Sequence, residues 1–445
     1  MDTARRSVTK ATPQRSAWLR TACPAPETVS ISEEVAVTYA VVGGGYAGLC
    51  AALRLAERGH PCALFEADEI GFGASGRNGG QVIPGLKYDP DELVQRFGDK
   101  RGERLARFAG EAATSTFAQI QRLGLACEAR QCGWLQPAVD QQTLDVVAER
   151  ARMWRAFSGV DTRVLSRAET RTMTGTDFYQ GGWIDPRGGE LQPLSYSREL
   201  ARVAISLGVT IFTHSPVTKL RREAQRWVLT SRGHQIKADR IIVCTNGYSA
   251  RLIPGLERAS VPASSIMCAT APLPESLQRE IIPARLPISD ARRLLTYMRY
   301  DSAGRFMIGA RGSFGLHEPE SYFRWLRAAA RRVYPQLADA AWEDAWGGRF
   351  ALTVDHLPHI HQPHHGIFAA IGCNGRGIAM MSQIGGLLAD LASGELSPDD
   401  SPVPVTPLRT IPLHAFRRPA LEAAGMWLGL QDRFSFLTLA PAGGR

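Results

Sequence analysis

The chain has 445 residues, 44% of them hydrophobic and 21% charged, a globular composition too long for one ordinary core, so two domains are expected. A formal net charge of +9 raises the question of an anionic polymer partner. However, Lys stands only at positions 10, 87, 100, 219 and 237, and the Arg excess is spread evenly without aromatic interleaving, which excludes a nucleic-acid reading.

The cysteines, at 23, 50, 62, 127, 132, 244, 268 and 373, form no CxxC pair and no disulfide framework, so a reducing compartment and a cytoplasmic location are expected. The basic, Ser/Thr-rich start MDTARRSVTKATPQRSAWLR lacks the apolar core of a secretory signal. No apolar run approaches the roughly 20 residues of a transmembrane span.

In chain order, residues 1–34 read as an extended lead-in. VAVTYAVV (35–42) is a continuous apolar run of the kind that suits a buried parallel strand. YAGLCAALRLAERG (46–59) has helical periodicity, and PCALFE (61–66) reads as the next strand, which together make a strand-helix-strand unit of about 30 residues. Two long amphipathic stretches within 90–158 flank the strand-like GWLQPAV, PLSYSRELARVAISLGVTIFT (193–213) is helix then strand, and DRIIVCTNG (239–247) is a buried strand ending in a turn. RRLLTYMRYDSAGRFMIGAR has the short alternating pattern of a hairpin. The last strand and helix, 366–392, return to the first style.

Gly43, Gly45 and Gly48 place G-x-G-x-x-G after a strand and at the mouth of a helix, with Tyr46 and Ala47 inside it. The first glycine allows a tight turn, the second lets the backbone approach a pyrophosphate, and the helix N-terminus supplies N–H donors. Glu66, followed by Ala67, ends the second strand and is placed to accept ribose hydroxyls. The Gly-rich GFGASGRNGGQV (71–82), with Ser75, Arg77, Asn78 and Gly80, has no use in an NAD-only domain but suits the longer body of a flavin dinucleotide. The late turn GCNGRG, comprising Gly372, Asn374, Gly375, Arg376 and Gly377 and followed by Ile378, opens a second helix whose N-terminus would face the pyrimidine edge of a flavin. Gly385 and Gly386 inside that helix would let it pack closely on a neighbour.

These stretches, with SAWLRTACPAP, LLTYMRYDSAGRFMIGARGS and WGGRFALTVDHLPHI, resemble the D-amino-acid-oxidase-like FAD oxidoreductases, especially the gamma-glutamylputrescine oxidoreductase group, from about residue 16 to 435. The resemblance implies bound FAD and oxidation of an amine carbon-nitrogen bond. It also implies an ADP half held by Gly43, Gly45, Gly48 and Glu66, with Val217 at adenine, Ser75 to Gly80 along the middle, and Gly375 to Ile378 at the ring. TYMRY (296–300) lacks the Cys by which sarcosine-oxidase-like relatives tether flavin, so FAD is expected to be non-covalent, and Ala379 replaces their carboxylate-binding Lys, which disfavours sarcosine itself.

The expected fold class is α/β (α+β overall), with an FAD-binding Rossmann-like domain (35–90, 159–260 and 345–400) interleaved with a mixed or antiparallel-sheet substrate domain (91–158 and 261–344). A C-terminal extension with a helix, 401–445, follows. His356 is the candidate proton-handling residue and Arg349 the candidate carboxylate partner. Trp183, Trp346 and Tyr297 read first as packing, and Tyr297 is kept as a third catalytic candidate. DHLPHIHQPHH (355–365) invites a metal, but its prolines break helical ligand spacing, so no metal is expected. The expected function is oxidation of a small-molecule amine, a gamma-glutamylputrescine-like N-substituted amine or a secondary amino acid such as L-pipecolate, with oxygen or another electron acceptor. The alternatives are a 2-hydroxy-acid dehydrogenase and a flavin-carrying electron-relay subunit.

Overall fold

The computed structural model describes residues 16–292, 295–314 and 318–414. Strand Val35–Val42 forms where the sequence predicts it, and its last four residues are all buried because covered parallel strands are apolar on both faces. It pairs in parallel with Cys62–Phe65 on one side and His234–Val243 on the other. Thr210–Phe212 and Ile367–Ile371 extend this parallel core. With His359–His364, Val405–Thr406 and the antiparallel pair Val217–Glu223 and Arg226–Ser231, it becomes a nine-stranded sheet.

The second sheet has eight strands, in the order Trp342–Leu352, Val261–Pro272, Arg305–Arg311, Thr296–Tyr300, Ile288–Ser289, Trp134–Ala138, Gly181–Asp185, Arg163–Leu165. All neighbours run antiparallel except Ile288–Ser289 with Trp134–Ala138. The hairpin predicted around residue 302 is the central pair Thr296–Tyr300 and Arg305–Arg311.

Four pieces fall on the other side of the expected bounds. Strands Arg163–Leu165, Gly181–Asp185 and Trp342–Leu352 belong to the eight-stranded sheet, whereas the sequence pattern places 159–260 and 345–400 in the FAD-binding part. Helix Asp99–Leu123, expected with the substrate part, packs its apolar side into the same core as the dinucleotide helix Tyr46–Glu57. The long amphipathic stretch from residue 90 is two helices, Pro90–Phe97 and Asp99–Leu123, broken at Gly98 with φ 76°. The lead-in is not featureless, since Trp18–Thr21 is a short helix and Trp18 is wholly buried. The helix expected beyond residue 401 lies outside the described residues.

Helix Gly377–Ser393 crosses Tyr46–Glu57 closely, because a Cβ on Gly385 would sit 2.3 Å from the Ala47 carbonyl oxygen. That contact carries the N-termini of both helices to one place. Among the described residues no helix is long and apolar enough to cross a membrane.

Candidate active site

The two glycine-rich turns border a single cavity of about 350 Å³. Gly45, Tyr46 and Ala47 line it from one helix start, and Gly375, Arg376 and Gly377 from the other. The glycines of the first turn are required by close approach. A Cβ on Gly48 would lie 1.9 Å from the Gly43 carbonyl oxygen, and one on Gly45 would lie 2.8 Å from Ser75 Oγ. At Gly375 and Gly377 a Cβ would meet nothing within 4 Å, so the late turn presents bare backbone to open space.

Glu66 closes the first turn. Its carboxylate accepts Gly44 N–H at 2.6 Å and Asp68 N–H at 2.9 Å, which leaves each oxygen able to take a second donor. Burial raises its carboxyl above the usual range, and those N–H groups oppose the shift. Ala67 is exposed beside it. The Glu66 carbonyl accepts Ser215 N–H, which brings the start of strand Val217–Glu223 near the same end. Val217 is half-buried against the nine-stranded sheet and does not line the cavity.

The middle loop runs between the turns. Ser75 Oγ accepts Tyr46 N–H at 3.1 Å, Asn78 Nδ2 donates to Tyr46 Oη at 3.0 Å, and Arg77 Nε donates to the Phe72 carbonyl at 2.8 Å. Ser75, Arg77 and Asn78 line the cavity. Gly80 does not, because its carbonyl is taken by the buried Arg299 guanidinium, which also meets the Leu191 carbonyl and Glu190. Trp18 locks the loop from outside by donating its indole N–H to the Asn78 carbonyl at 2.9 Å.

Asn246, just past the parallel strand His234–Val243, braces the late turn by accepting Gly372 N–H at 3.2 Å and donating to Cys373 Sγ at 3.2 Å. Asn374, in a left-handed conformation with φ 48°, accepts Thr353 N–H at 3.0 Å. Asn374 and Ile378 line the cavity, whereas Gly372 is off it because it packs against Thr353. Arg376 caps the late helix, donates to the Pro84 carbonyl at 2.8 Å and lies over the Trp134 ring at 5.5 Å. Burial, with the charge of Arg150 adding to it, pulls this guanidinium down to about 10. An anion over the turn would relieve that cost.

Of the three catalytic candidates only Tyr297 lines the cavity. Its hydroxyl shares a 2.5 Å hydrogen bond with Ser265 Oγ, its ring lies against Gly79 and Gly309, and burial pushes its phenol up to about 12. Arg349 lies over the Tyr248 ring at 5.8 Å, while its neighbours Gly348 and Phe350 line the wall. His356 sits on the turn after strand Trp342–Leu352 with φ 56°, off the wall. Burial and the charge of Lys87 lower it. In the histidine-rich run His359 pairs with Asp355 at 2.9 Å, and among the described residues no group of three or more His, Cys, Asp or Glu could hold a metal.

Sequence reasoning missed much of the wall, including Gln81, Trp134, Gln136, Ser265, Ser289 and Arg311. Cys244 and Asn246 carried a usable signal, since ligands of parallel sheets bind beyond the carboxyl ends of the strands. The others sit on strands whose inward face no local pattern announces.

Two helix N-termini and a bare-backbone turn meet at one cavity, while Gly43, Gly48, Glu66 and Ala67 lie off its lining, with the Glu66 carboxylate bonded to the first turn at Gly44; together they suit a dinucleotide as long as a flavin's. The chain belongs to the FAD dependent oxidoreductase family, whose model matches residues 38–391, and it is an FAD-dependent enzyme. It is 29% identical over 367 residues to gamma-glutamylputrescine oxidoreductase of Escherichia coli (strain K12), covering 82% of this chain and 86% of that one. It is 24% identical to glycine oxidase of Geobacillus kaustophilus (strain HTA426), covering 79% and 92%. The crystal structure of glycine oxidase from Geobacillus kaustophilus superposes with a TM-score of 0.71 over 85% of this chain and all of that one. L-proline dehydrogenase from P. horikoshii, at 19% identity, gives 0.67 over 82% and 95%. The fold is therefore shared with both.

Proposed function

We propose that the enzyme oxidises an amine carbon-nitrogen bond to an imine, which water then hydrolyses, and that FAD is held non-covalently. The substrate is an N-substituted amine of the gamma-glutamylputrescine kind or a secondary amino acid such as L-pipecolate. FAD supplies the two-electron acceptor for the hydride when bound.

One observation carries the amine reading. Among the described residues, no His, Asp, Glu or Lys lines the cavity. Its thiols, Cys244 and Cys373, are pushed up by burial, and its two phenols, Tyr46 and Tyr297, are pushed up by burial too and stay protonated. An alcohol needs a positioned base to take the hydroxyl proton as hydride leaves. An amine that binds neutral needs none. This reading gives Tyr297 the work of positioning the substrate by hydrogen bonding, with Ser265 fixing its hydroxyl. Trp134 and Phe350 contribute apolar wall and exclude water. Arg349 and His356 stand off the wall and are given no part in it.

The product tests the proposal. Holoenzyme with an artificial electron acceptor should convert L-pipecolate to a cyclic imine two hydrogens lighter, or its ring-opened hydrate, and gamma-glutamylputrescine to an aldehyde with one ammonium released per two electrons passed to the acceptor. A 2-oxo acid formed from a 2-hydroxy acid, with every amine recovered intact, contradicts it.

A further inference from the structure

The charged side chains lining the cavity among the described residues are Arg77, Arg311 and Arg376. Two of them are engaged as part of the dinucleotide walls. Arg77 is bonded to the Phe72 and Gly347 carbonyls, and Arg376 to the Pro84 carbonyl. Arg311 belongs to the eight-stranded sheet, and among the described residues its guanidinium has no hydrogen bond or ion pair. The guanidinium carbon lies 5.3 Å from the centre of the Phe314 ring. Glu318, further along the same chain segment, places both oxygens on Ser313 instead.

Register fixes where Arg311 stands. It pairs with Ser265, which pairs on its other side with Gly348, and it lies two residues beyond Gly309, which pairs with Tyr297. Alternation along a strand therefore puts Arg311, Ser265 and the Tyr297 ring on one face of the sheet. Leu295, 39% exposed, also lines the cavity and marks its open side. Lys87, exposed to solvent, is close enough to Arg311 for the two charges to oppose each other. Arg311 is thus half-buried, with its charge disfavoured by burial, beside a second cation at the mouth. An unpaired guanidinium in such a place is built for a carboxylate, which its planar fork binds through two N–H groups.

We infer that Arg311 is the recognition point for a carboxylate at the far end of the substrate amine, so the enzyme takes an amine that carries a remote carboxylate rather than a free diamine. The assignment rests on the amine reading above. A diamine would bring an ammonium at its far end into a cavity whose charged side chains, among the described residues, are all cationic, and like charges at close range raise the cost of binding.

Two measurements separate this inference from the amine reading. The first needs no turnover: glutarate, a carboxylate without an amine, is titrated against oxidised holoenzyme and followed by the flavin absorbance. Saturable binding should weaken roughly tenfold or more in Arg311→Met, the loss expected for a charge-assisted hydrogen bond, and recover in part in Arg311→Lys. The second compares kcat/KM for an amine bearing a distal carboxylate with that for its carboxamide analogue. The wild-type ratio should favour the carboxylate, and Arg311→Met should bring it close to one. Glutarate binding that Arg311→Met leaves unchanged, a wild-type ratio near one, or a variant that loses FAD while keeping the ratio would overturn the inference. Failure of every amine with glutarate binding intact would instead strike the amine reading alone.

Discussion

Glu66 does two jobs with one carboxylate: it holds Gly44 and Asp68 through their N–H groups, and each oxygen can take a further donor from a ribose. Replacing it by Gln removes the charge and one acceptor. FAD binding should weaken by about 1.5 to 3 kcal/mol, read as increased flavin fluorescence on dilution. Unchanged retention would remove Glu66 from the site. The same residue predicts a pH effect in the apoprotein. Its folded carboxyl lies above the ordinary 4.5, so its contribution to stability is complete below that value and is lost as pH rises through the folded one. Denaturation of Glu66→Gln apoprotein should vary less with pH across that window, and an identical slope would contradict the assignment. Tyr297, pushed up to about 12, remains protonated at working pH. The rate profile of Tyr297→Phe should therefore keep the wild-type shape below pH ~10, and loss of a basic limb in that range would show that the phenol titrates there.

The two helices that meet at Gly385 position both turns, so the late helix gives a test at the scale of the element. Gly385→Ala should force it away from the Ala47 carbonyl and lower both thermal stability and flavin content. Gly386→Ala, where a Cβ meets nothing within 4 Å, should be neutral or stabilising by about 0.5 to 1 kcal/mol. Equal behaviour of the two variants would mean the contact does not hold the turns. The first strand-helix-strand unit was legible in the sequence because apolar runs, helical period and glycine spacing all agree within Val35–Phe65. The late turn was legible for the same reason. Strands Arg163–Leu165 and Gly181–Asp185 were not, because they are short and pair with each other and with Trp134–Ala138, partners that no local pattern names. The off-wall places of Gly80 and Gly372 were equally hidden, since Arg299 and Thr353 reach them from distant sequence. Trp18 shows the same limit in the lead-in, where a wholly buried indole reaches Asn78. Trp18→Ala should cost about 3 to 5 kcal/mol and loosen the flavin loop, seen as faster FAD loss in dialysis. Unaltered melting would show that the lead-in only rests on the surface.

For the whole molecule, the nine-stranded sheet supplies the two helix N-termini and the eight-stranded sheet supplies Tyr297, Ser265 and Arg311 opposite them, so the cavity exists only where both meet. The strand Thr296–Tyr300 offers no thiol for tethering, so acid precipitation should release the yellow cofactor into the supernatant, and flavin retained in the pellet would show a covalent link. The claim that most depends on both sheets together is that this cavity, without a base on its wall, reduces flavin at the expense of an amine. Anaerobic mixing of oxidised holoenzyme with N-acylated diamines, cyclic and N-methyl amino acids, primary amines and 2-hydroxy acids tests it directly by the absorbance of oxidised flavin. The account predicts bleaching by amines and none by hydroxy acids. Bleaching by a hydroxy acid while every amine leaves the spectrum unchanged would contradict it.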